Sequence, residues 1–83
     1  MRLSDTVTST ETSDGIVLLH QRSGVFWQLN GSGAMVVQML LAGQSADEAA
    51  DRLVERYDVR ASEAAADVAI LVDQLRENQL VAE

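Results

Sequence analysis

Residues 24–33 read Gly-Val-Phe-Trp-Gln-Leu-Asn-Gly-Ser-Gly, and the chain changes character within this stretch. Its first half holds the only Phe and the only Trp of the chain, residue types that favour a half-buried β-strand. Asn30 then offers a side-chain oxygen to the free N–H groups of a helix that begins at Gly31. We therefore predict strands before this stretch and helices after it.

The residues up to this stretch predict a sheet of three short strands. Residues 6–12 are rich in Thr and Val, residues 13–15 (Ser-Asp-Gly) are a turn signal, and residues 16–20 are almost entirely apolar. With a third strand over residues 25–29, these segments predict an antiparallel meander. We expect both faces of the second strand to be covered, and residues 1–5 to be a loose start.

The residues after it predict three helices, over about 31–42, 46–57 and 61–78. The first helix is apolar nearly all round, which indicates that it is buried. Gly43 supplies the left-handed residue that ends it. Ser45 and Glu48 have the spacing of a capping box at the start of the second helix.

The third helix carries more apolar surface than one core stripe needs. Its stripe is formed by Ala64, Val68, Leu71, Val72 and Leu75. A second face, mostly of small residues, lies beside the stripe and consists of Ala65, Ala66, Ala69 and Ile70, bordered by Asp67, Asp73 and Gln74. Such a face near a strand edge favours a groove for an extended peptide, although alanine is also simply a good helix former. We expect Leu80 and Val81 to fold back onto this helix.

Composition bounds the function of this 83-residue chain. It is long enough for one domain, 1–83, and it has no cysteine for thiol or thiolate-metal chemistry. The net charge is −7, nearly all of it after residue 30, and no lysine is present. Because nucleic-acid binding depends on Lys and Arg, we expect no nucleic-acid partner. No apolar run is long enough to span a bilayer, so we expect no membrane partner and a cytoplasmic protein.

The motifs that could support catalysis are weak. Residues 31–33 (Gly-Ser-Gly) follow a strand as a phosphate-binding loop does, but Val36 replaces the third glycine of the dinucleotide pattern. His20 is the only histidine, which leaves a zinc site without enough ligands. We therefore expect no enzyme activity, no cofactor and no metal.

The order and spacing of these residues resemble the PqqD-like family, the recognition elements for ribosomally made, modified peptides. The similarity is greatest to the stand-alone B proteins of lasso-peptide gene clusters. It extends over about residues 5–82, and it is carried by residues 19–30, Gly33-Ala34, residues 40–43, Ala49-Ala50, Arg56-Tyr57, Asp67-Val68, Leu71, Leu75 and Leu80-Val81. One departure is Arg60, where a helix-capping Asp is often seen, and it leaves the start of the third helix open.

This resemblance implies an α+β, winged-helix-like domain that binds the leader segment of a precursor peptide. In the family, the leader adds as an antiparallel strand to the free edge of the third strand and packs against the third helix. The implied peptide-binding residues are Val25, Phe26, Trp27, Gln28, Leu29, Ala66, Asp67, Ala69, Ile70, Asp73, Gln74 and Glu77. The implied second partner is a leader peptidase, a transglutaminase-like cysteine protease, to which the leader is presented.

Other interpretations of the same sequence stay open at this point. A PqqD-type carrier could hand its peptide to a radical enzyme instead of a peptidase. A winged-helix transcription regulator has a similar topology, although the acidic third helix counts against it. A dimer could also use the strand edge for self-pairing. Strand alternation further leaves open whether Phe26 or Trp27 faces the core.

Overall fold

A computed structural model describes residues 1–82 of the chain. The elements follow the order β1 (Val7–Glu11), β2 (Gly15–His20), β3 (Phe26–Asn30), α1 (Gly31–Leu41), α2 (Ala46–Arg56) and α3 (Ala61–Glu77). The three strands form one antiparallel sheet in the order β1-β2-β3. The predicted fold class, a three-stranded antiparallel meander followed by three helices, is confirmed.

The sheet has one face toward the core and one face toward solvent. The core face is set by register: Ile16 lies opposite Leu29, and Leu18 lies opposite Trp27. On the other face, Leu19 lies opposite Phe26 and is 38% exposed. The prediction that both faces of the second strand are covered is therefore wrong, because the helices pack on one side of the sheet only.

Helix α1 is the central element of the core. Ala34 and Val37 pack toward the sheet, whereas Val36 and Leu40 pack toward α2 and α3. This explains why α1 is apolar nearly all round, since it has one packed layer on each side. Leu71 of α3 contacts both clusters and joins them.

The prediction for the C-terminal end of α1 is correct, whereas the prediction for its N-terminal cap is not. Asn30 occupies the N-cap position with extended backbone, but its side chain makes no capping hydrogen bond, so that prediction is wrong. At the other end, Gly43 has φ +96°. The N–H of Gly43 donates to Leu40 O and the N–H of Gln44 donates to Met39 O, which completes a Schellman motif.

The capping box of α2 is formed as predicted. The Glu48 N–H donates to Ser45 Oγ at 3.0 Å, and the Ser45 N–H donates to Glu48 Oε1 at 2.9 Å. These two hydrogen bonds satisfy donors that the first turn of a helix otherwise leaves free.

Helix α3 begins at Ala61, directly after Arg60, although Arg60 provides no side-chain cap. Its C-terminal end is a second Schellman motif, in which the N–H of Gln79 donates to Arg76 O and the N–H of Leu80 donates to Leu75 O. Gln79 takes the left-handed position with φ +59°. The reversal buries Leu80 and Val81 in a cluster that contains Leu75 of α3, onto which they were predicted to fold, and that also contains residues of the sheet and of α1.

The prediction of a loose start over residues 1–5 is wrong. Leu3 pairs with Val81 in an isolated antiparallel bridge. The N–H of Ser4 donates to Leu80 O, and Ser4 Oγ donates to Gln79 O. These contacts hold the first residues because Leu3 covers the same apolar cluster that Val81 enters.

Candidate functional site

Strand β3 is an edge strand, and its outer side is open. The His20 N–H donates to Val25 O, so residues 20 and 25 form a hydrogen-bonded pair. Paired residues of antiparallel strands alternate between bonded and unbonded positions, which directs the N–H and C=O groups of Trp27 and Leu29 toward β2. The corresponding groups of Phe26 and Gln28 point away from β2, and within residues 1–82 no strand pairs with them. Two residues of β3 thus offer free main-chain donors and acceptors.

A cavity of about 280 Å³ lies beside the start of β3. It will be called the Trp27 cavity, and its lining consists of His20, Ser23, Val25, Trp27, Asn78, Gln79 and Leu80. Its walls therefore come from the β2–β3 hairpin and from the C-terminal end of α3. The Nδ1 atom of His20 is buried here and has no hydrogen-bond partner among the described residues.

A second cavity, of about 330 Å³, lies near the end of β3. It will be called the Asp67 cavity, and its lining consists of Ser32, Gly33, Val36, Leu53, Tyr57, Val59, Asp67, Val68 and Leu71. The first turn of α1, which directly follows β3, forms one rim, and the N-terminal half of α3 forms another.

The space between the edge of β3 and helix α3, from the Trp27 cavity to the Asp67 cavity, will be called the groove; the two cavities share no lining residue. β3 runs from the Trp27 cavity toward the Asp67 cavity. Helix α3 runs between the same two cavities in the opposite direction, so the strand edge and the helix lie antiparallel on the two sides of the groove. At the usual strand rise of about 3.4 Å per residue, residues 25–29 span roughly 14 Å. A site of this shape can take a short extended segment, with one side-chain cavity at each end.

The predicted residues of β3 divide between the two faces of the sheet. Trp27 and Leu29 are half-buried and pack against the core beside the groove. Phe26, which is 63% exposed, and Gln28 lie on the outer face. Val25, 55% exposed, precedes β3 and lines the Trp27 cavity.

The predicted residues of α3 are all exposed, but they do not share one side of the helix. Asp67 lines a cavity, and a rotation of 100° per residue puts Gln74 within about 20° of it and Ile70 within about 60°. By the same geometry, Ala66, Glu77, Asp73 and Ala69 lie about 80° to 160° away from Asp67 around the helix axis. Asp67 thus lines a groove cavity, whereas Ile70 and Gln74 lie toward the same side of α3 by helix geometry and line neither cavity. A peptide-binding role for any of the seven stays a prediction.

Several groove residues were not anticipated from the sequence. Leu71 was assigned to the core stripe, yet it also lines the Asp67 cavity, four residues after Asp67. Tyr57 directly follows α2 and Gln79 lies in the turn after α3, so each reaches the groove only through long-range packing. Of these residues, only Leu71 could have been assigned to the cavity from the local sequence, because it lies at i+4 from Asp67 and residues i and i+4 of a helix are neighbours.

The charges near the groove are acidic and largely unpaired. The salt bridges found within residues 1–82 join Arg52 to Glu55 at 3.3 Å and Arg60 to Glu63 at 3.8 Å, and all four side chains are well exposed. Neither salt bridge involves Asp67. In the same part of the chain, no three His, Asp or Glu side chains are grouped closely enough to hold a metal ion. No helix among these residues is long and apolar enough to cross a membrane.

The fold and the groove define a class of small α+β domain with an open strand edge facing a helix. The family model described as "Coenzyme PQQ synthesis protein D (PqqD)" matches residues 15–81, and the chain therefore belongs to the PqqD family. No curated protein sequence matches the chain significantly.

Two solved structures are similar to this chain. One is "Lasso peptide synthetase B1 complexed with the leader peptide", with 42% identity, a TM-score of 0.88, and coverage of 95% of this chain and 93% of that chain. The other is "TbiB1 in Complex with the TbiA(beta) Leader Peptide", with 27% identity, a TM-score of 0.88, and coverage of 99% and 95%. Both relatives were solved with a leader peptide bound.

Proposed function

We propose that this protein binds the leader segment of a ribosomally made lasso precursor peptide. The observation that supports this most strongly is the open edge of β3 beside a groove with a cavity at each end. The similarity over nearly the full chain to two proteins solved with leader peptides supports the same conclusion.

The mechanism is strand addition. The leader forms main-chain hydrogen bonds with Phe26 and Gln28, and its side chains alternate between the groove and the outer face of the sheet. Main-chain pairing provides affinity for any extended segment, whereas the two cavities select particular side chains. The groove side of α3, with Asp67, Ile70 and Gln74, covers the bound segment.

Electrostatics adds a smaller contribution. The net charge of −7 and the acidic residues Asp67, Asp73 and Glu77 of α3 attract a leader that carries basic residues. These side chains are exposed, so added salt screens the attraction. We expect leader affinity to fall modestly as NaCl is raised.

The second partner in this proposal is a leader peptidase, a transglutaminase-like cysteine protease, to which the bound leader is presented. The protein itself cleaves no bond. It presents the leader to the peptidase in the cytoplasm, where ribosomally made precursors are released. Support for a protein partner comes from the outer face of the sheet, where the adjacent side chains of Leu19 and Phe26 are exposed. Adjacent exposed apolar side chains are typical of contact surfaces.

Two alternative functions, a peptide carrier for a radical enzyme and a DNA-binding regulator, are not favoured. The similar structures are lasso B proteins with leaders and not proteins described with a radical enzyme. A DNA-binding regulator requires a basic surface, whereas α3 carries four acidic residues and one arginine.

The proposal is tested by titrating this protein into a labelled synthetic leader, encoded by the neighbouring precursor gene, while fluorescence anisotropy and Trp27 emission are followed together. We expect saturable binding and a shift of the emission, because Trp27 lines the groove. A scrambled leader is the control. If the leader does not bind to folded protein, either alone or with the peptidase present, the proposal is wrong.

A further inference from the structure

We propose that the protein forms a two-fold symmetric dimer in which strand β1 of one copy pairs antiparallel with β1 of a second copy. This inference goes beyond leader binding and does not depend on it, because it concerns the opposite edge of the sheet. The pairing joins the two three-stranded sheets into one continuous sheet and leaves β3 of each copy at an outer edge. Each copy therefore keeps its own open β3 edge.

Strand β1 has free main-chain groups along its outer side. The N–H of Thr12 donates to Gly15 O at 2.8 Å, so these two residues form a hydrogen-bonded pair. Alternation along the strand then directs the N–H and C=O groups of Ser9 and Glu11 away from β2. Within residues 1–82, β2 is the only strand that pairs with β1. The outer side of β1 is thus available to another strand.

This edge lacks several features that usually prevent edge-to-edge pairing. Strand β1 reads Val-Thr-Ser-Thr-Glu, without Lys or Pro, and its register with β2 is continuous, without a bulge. Its one charged residue, Glu11, already accepts a hydrogen bond from Gln38 Nε2 at 3.2 Å. Val and Thr also favour the strand conformation. Strand β1 is therefore a suitable template for a second strand.

The outward-directed groups favour one symmetric register, in which Ser9 lies opposite Ser9 of the second copy. Val7 then lies opposite Glu11, because the two-fold axis passes midway between these positions. Val7 donates its N–H to Ser4 O at 3.0 Å, so only its C=O is free. Main-chain hydrogen bonds form between the two Ser9 residues and from each Glu11 N–H to Val7 O. The register also keeps the two Glu11 carboxylates apart.

The surroundings of β1 leave room for the second strand. A cavity of about 460 Å³ lies beside this edge, and its lining consists of Ser9, Glu11, Ile16, Gln38, Leu41 and Ala42. Helix α1 therefore does not cover the edge, and pairing brings the half-buried Leu41 of each copy toward the contact. On the outer face, the exposed Thr8 of each copy lies opposite Thr10 of the other, and cross-strand Thr pairs are favourable.

The net charge of −7 permits this contact. Nearly all of the negative charge follows residue 30 and so belongs to the helical part of the chain, whereas β1 carries one acidic residue. Exposed charges more than about 8 Å apart are largely screened at physiological ionic strength. We expect added NaCl to strengthen the dimer, which is opposite to its expected effect on leader affinity.

A charge exchange at Ser9 tests both the dimer and its register. Ser9 is exposed, so one copy can accept either Asp or Lys there, but in the dimer each variant places like charges directly opposite one another. Sedimentation equilibrium measures the mass of wild type, Ser9→Asp, Ser9→Lys and an equimolar mixture of the variants. The wild-type mass should rise toward two chain masses at about 1 mM protein. Each variant alone should associate about tenfold more weakly, and the mixture should recover.

Proline substitutions compare the two edges of the sheet. Proline removes a main-chain N–H, which an edge strand tolerates where that N–H points away from its neighbour. The N–H groups of Ser9 and Gln28 both point outward. Ser9→Pro should be a folded monomer that binds the leader within about twofold of wild type, since it alters no groove residue. Gln28→Pro should keep the dimer and lose leader affinity, and circular dichroism monitors the folding of both.

Three results would overturn the inference. One is a wild-type mass of a single chain at about 1 mM protein. Another is failure of the Ser9→Asp and Ser9→Lys mixture to associate more strongly than either variant alone. The third is loss of the dimer in Gln28→Pro but not in Ser9→Pro, which would assign self-pairing to β3. Leader binding by monomeric Ser9→Asp tests the proposed function separately, so the failure of one is distinguishable from the failure of the other.

Discussion

Phe26 and Trp27 are adjacent in the chain and lie on opposite faces of the sheet. Trp27 lies opposite Leu18 and packs against the core beside the groove, whereas Phe26 lies opposite Leu19 and is 63% exposed. The register of β3 thus places Trp27 beside the groove and Phe26 on the outer face of the sheet.

This division predicts different effects of removing each aromatic side chain. Trp27→Ala should lower the free energy of unfolding by about 2 kcal/mol, less than for a fully buried Trp because Trp27 is half-buried. It should also weaken leader binding. Phe26→Ser should change stability by about 0.5 kcal/mol or less. We expect Phe26→Ser to slow leader cleavage by the peptidase more than it weakens leader affinity. Urea denaturation, anisotropy and a cleavage assay measure the three quantities, and a stability loss as large for Phe26→Ser as for Trp27→Ala would contradict the assignment of faces.

The groove side of α3 is tested by two aspartate substitutions. Ile70 is 57% exposed and lies near Asp67, so Ile70→Asp should abolish detectable leader binding and leave the melting temperature nearly unchanged. Ala69 is also exposed, but it lies about 160° from Asp67 around the helix. Ala69→Asp adds the same charge and should bind the leader within about threefold of wild type, because exposed charges interact weakly. Equal losses in both variants would mean that charge alone weakens binding.

The two Schellman motifs predict opposite effects on stability. Gly43 has φ +96°, so Gly43→Ala should lower the free energy of unfolding by about 1 kcal/mol. Gln79 has φ +59° without being glycine, so Gln79→Gly should raise it by about 0.5 kcal/mol, once the greater freedom of glycine in the unfolded chain is subtracted. Thermal unfolding of both variants measures the changes, and a destabilised Gln79→Gly would show that the Gln79 side chain stabilises the turn after α3.

The capping box predicts a pH dependence. The backbone N–H of Ser45, and then its side chain, holds the pKa of Glu48 below its ordinary value of 4.5. A lowered pKa means that this carboxylate stabilises the folded protein above the unfolded-state pKa, and that the stabilisation is lost as the pH falls through the folded-state pKa. The stability advantage of wild type over Glu48→Gln should therefore be present at pH 7 and shrink below about pH 4.5. Parallel stability curves for the two proteins over that range would rule out the ionised cap.

The sequence predicted most of the fold because its signals were local. Gly43 and the pair Ser45 and Glu48 each act within one turn of chain, and both motifs formed as expected. Each predicted end of a strand or helix either agrees with the observed one or differs from it by one residue. For example, β2 begins at Gly15 instead of residue 16. Local capping chemistry and apolar periodicity are sufficient for such predictions.

What the sequence did not predict depends on contacts between distant residues. The pairing of Leu3 with Val81 joins the two ends of the described chain, and no local pattern indicates it. The orientation of Trp27 toward the core follows from its register with Leu18, which a one-residue shift would reverse. The Asp67 cavity draws its lining from three helices, so Tyr57 could not be assigned to it in advance.

The most direct test of strand addition is hydrogen exchange of individual β3 amides, measured by NMR with and without saturating leader. In the free protein, the amide protons of Trp27 and Leu29 should already be protected by β2, and those of Phe26 and Gln28 should exchange fast. With leader bound, we predict that exchange at Phe26 and Gln28 slows by roughly tenfold or more, because the added strand accepts both hydrogen bonds. Unchanged exchange at Phe26 and Gln28 in a saturated complex would contradict strand addition to β3.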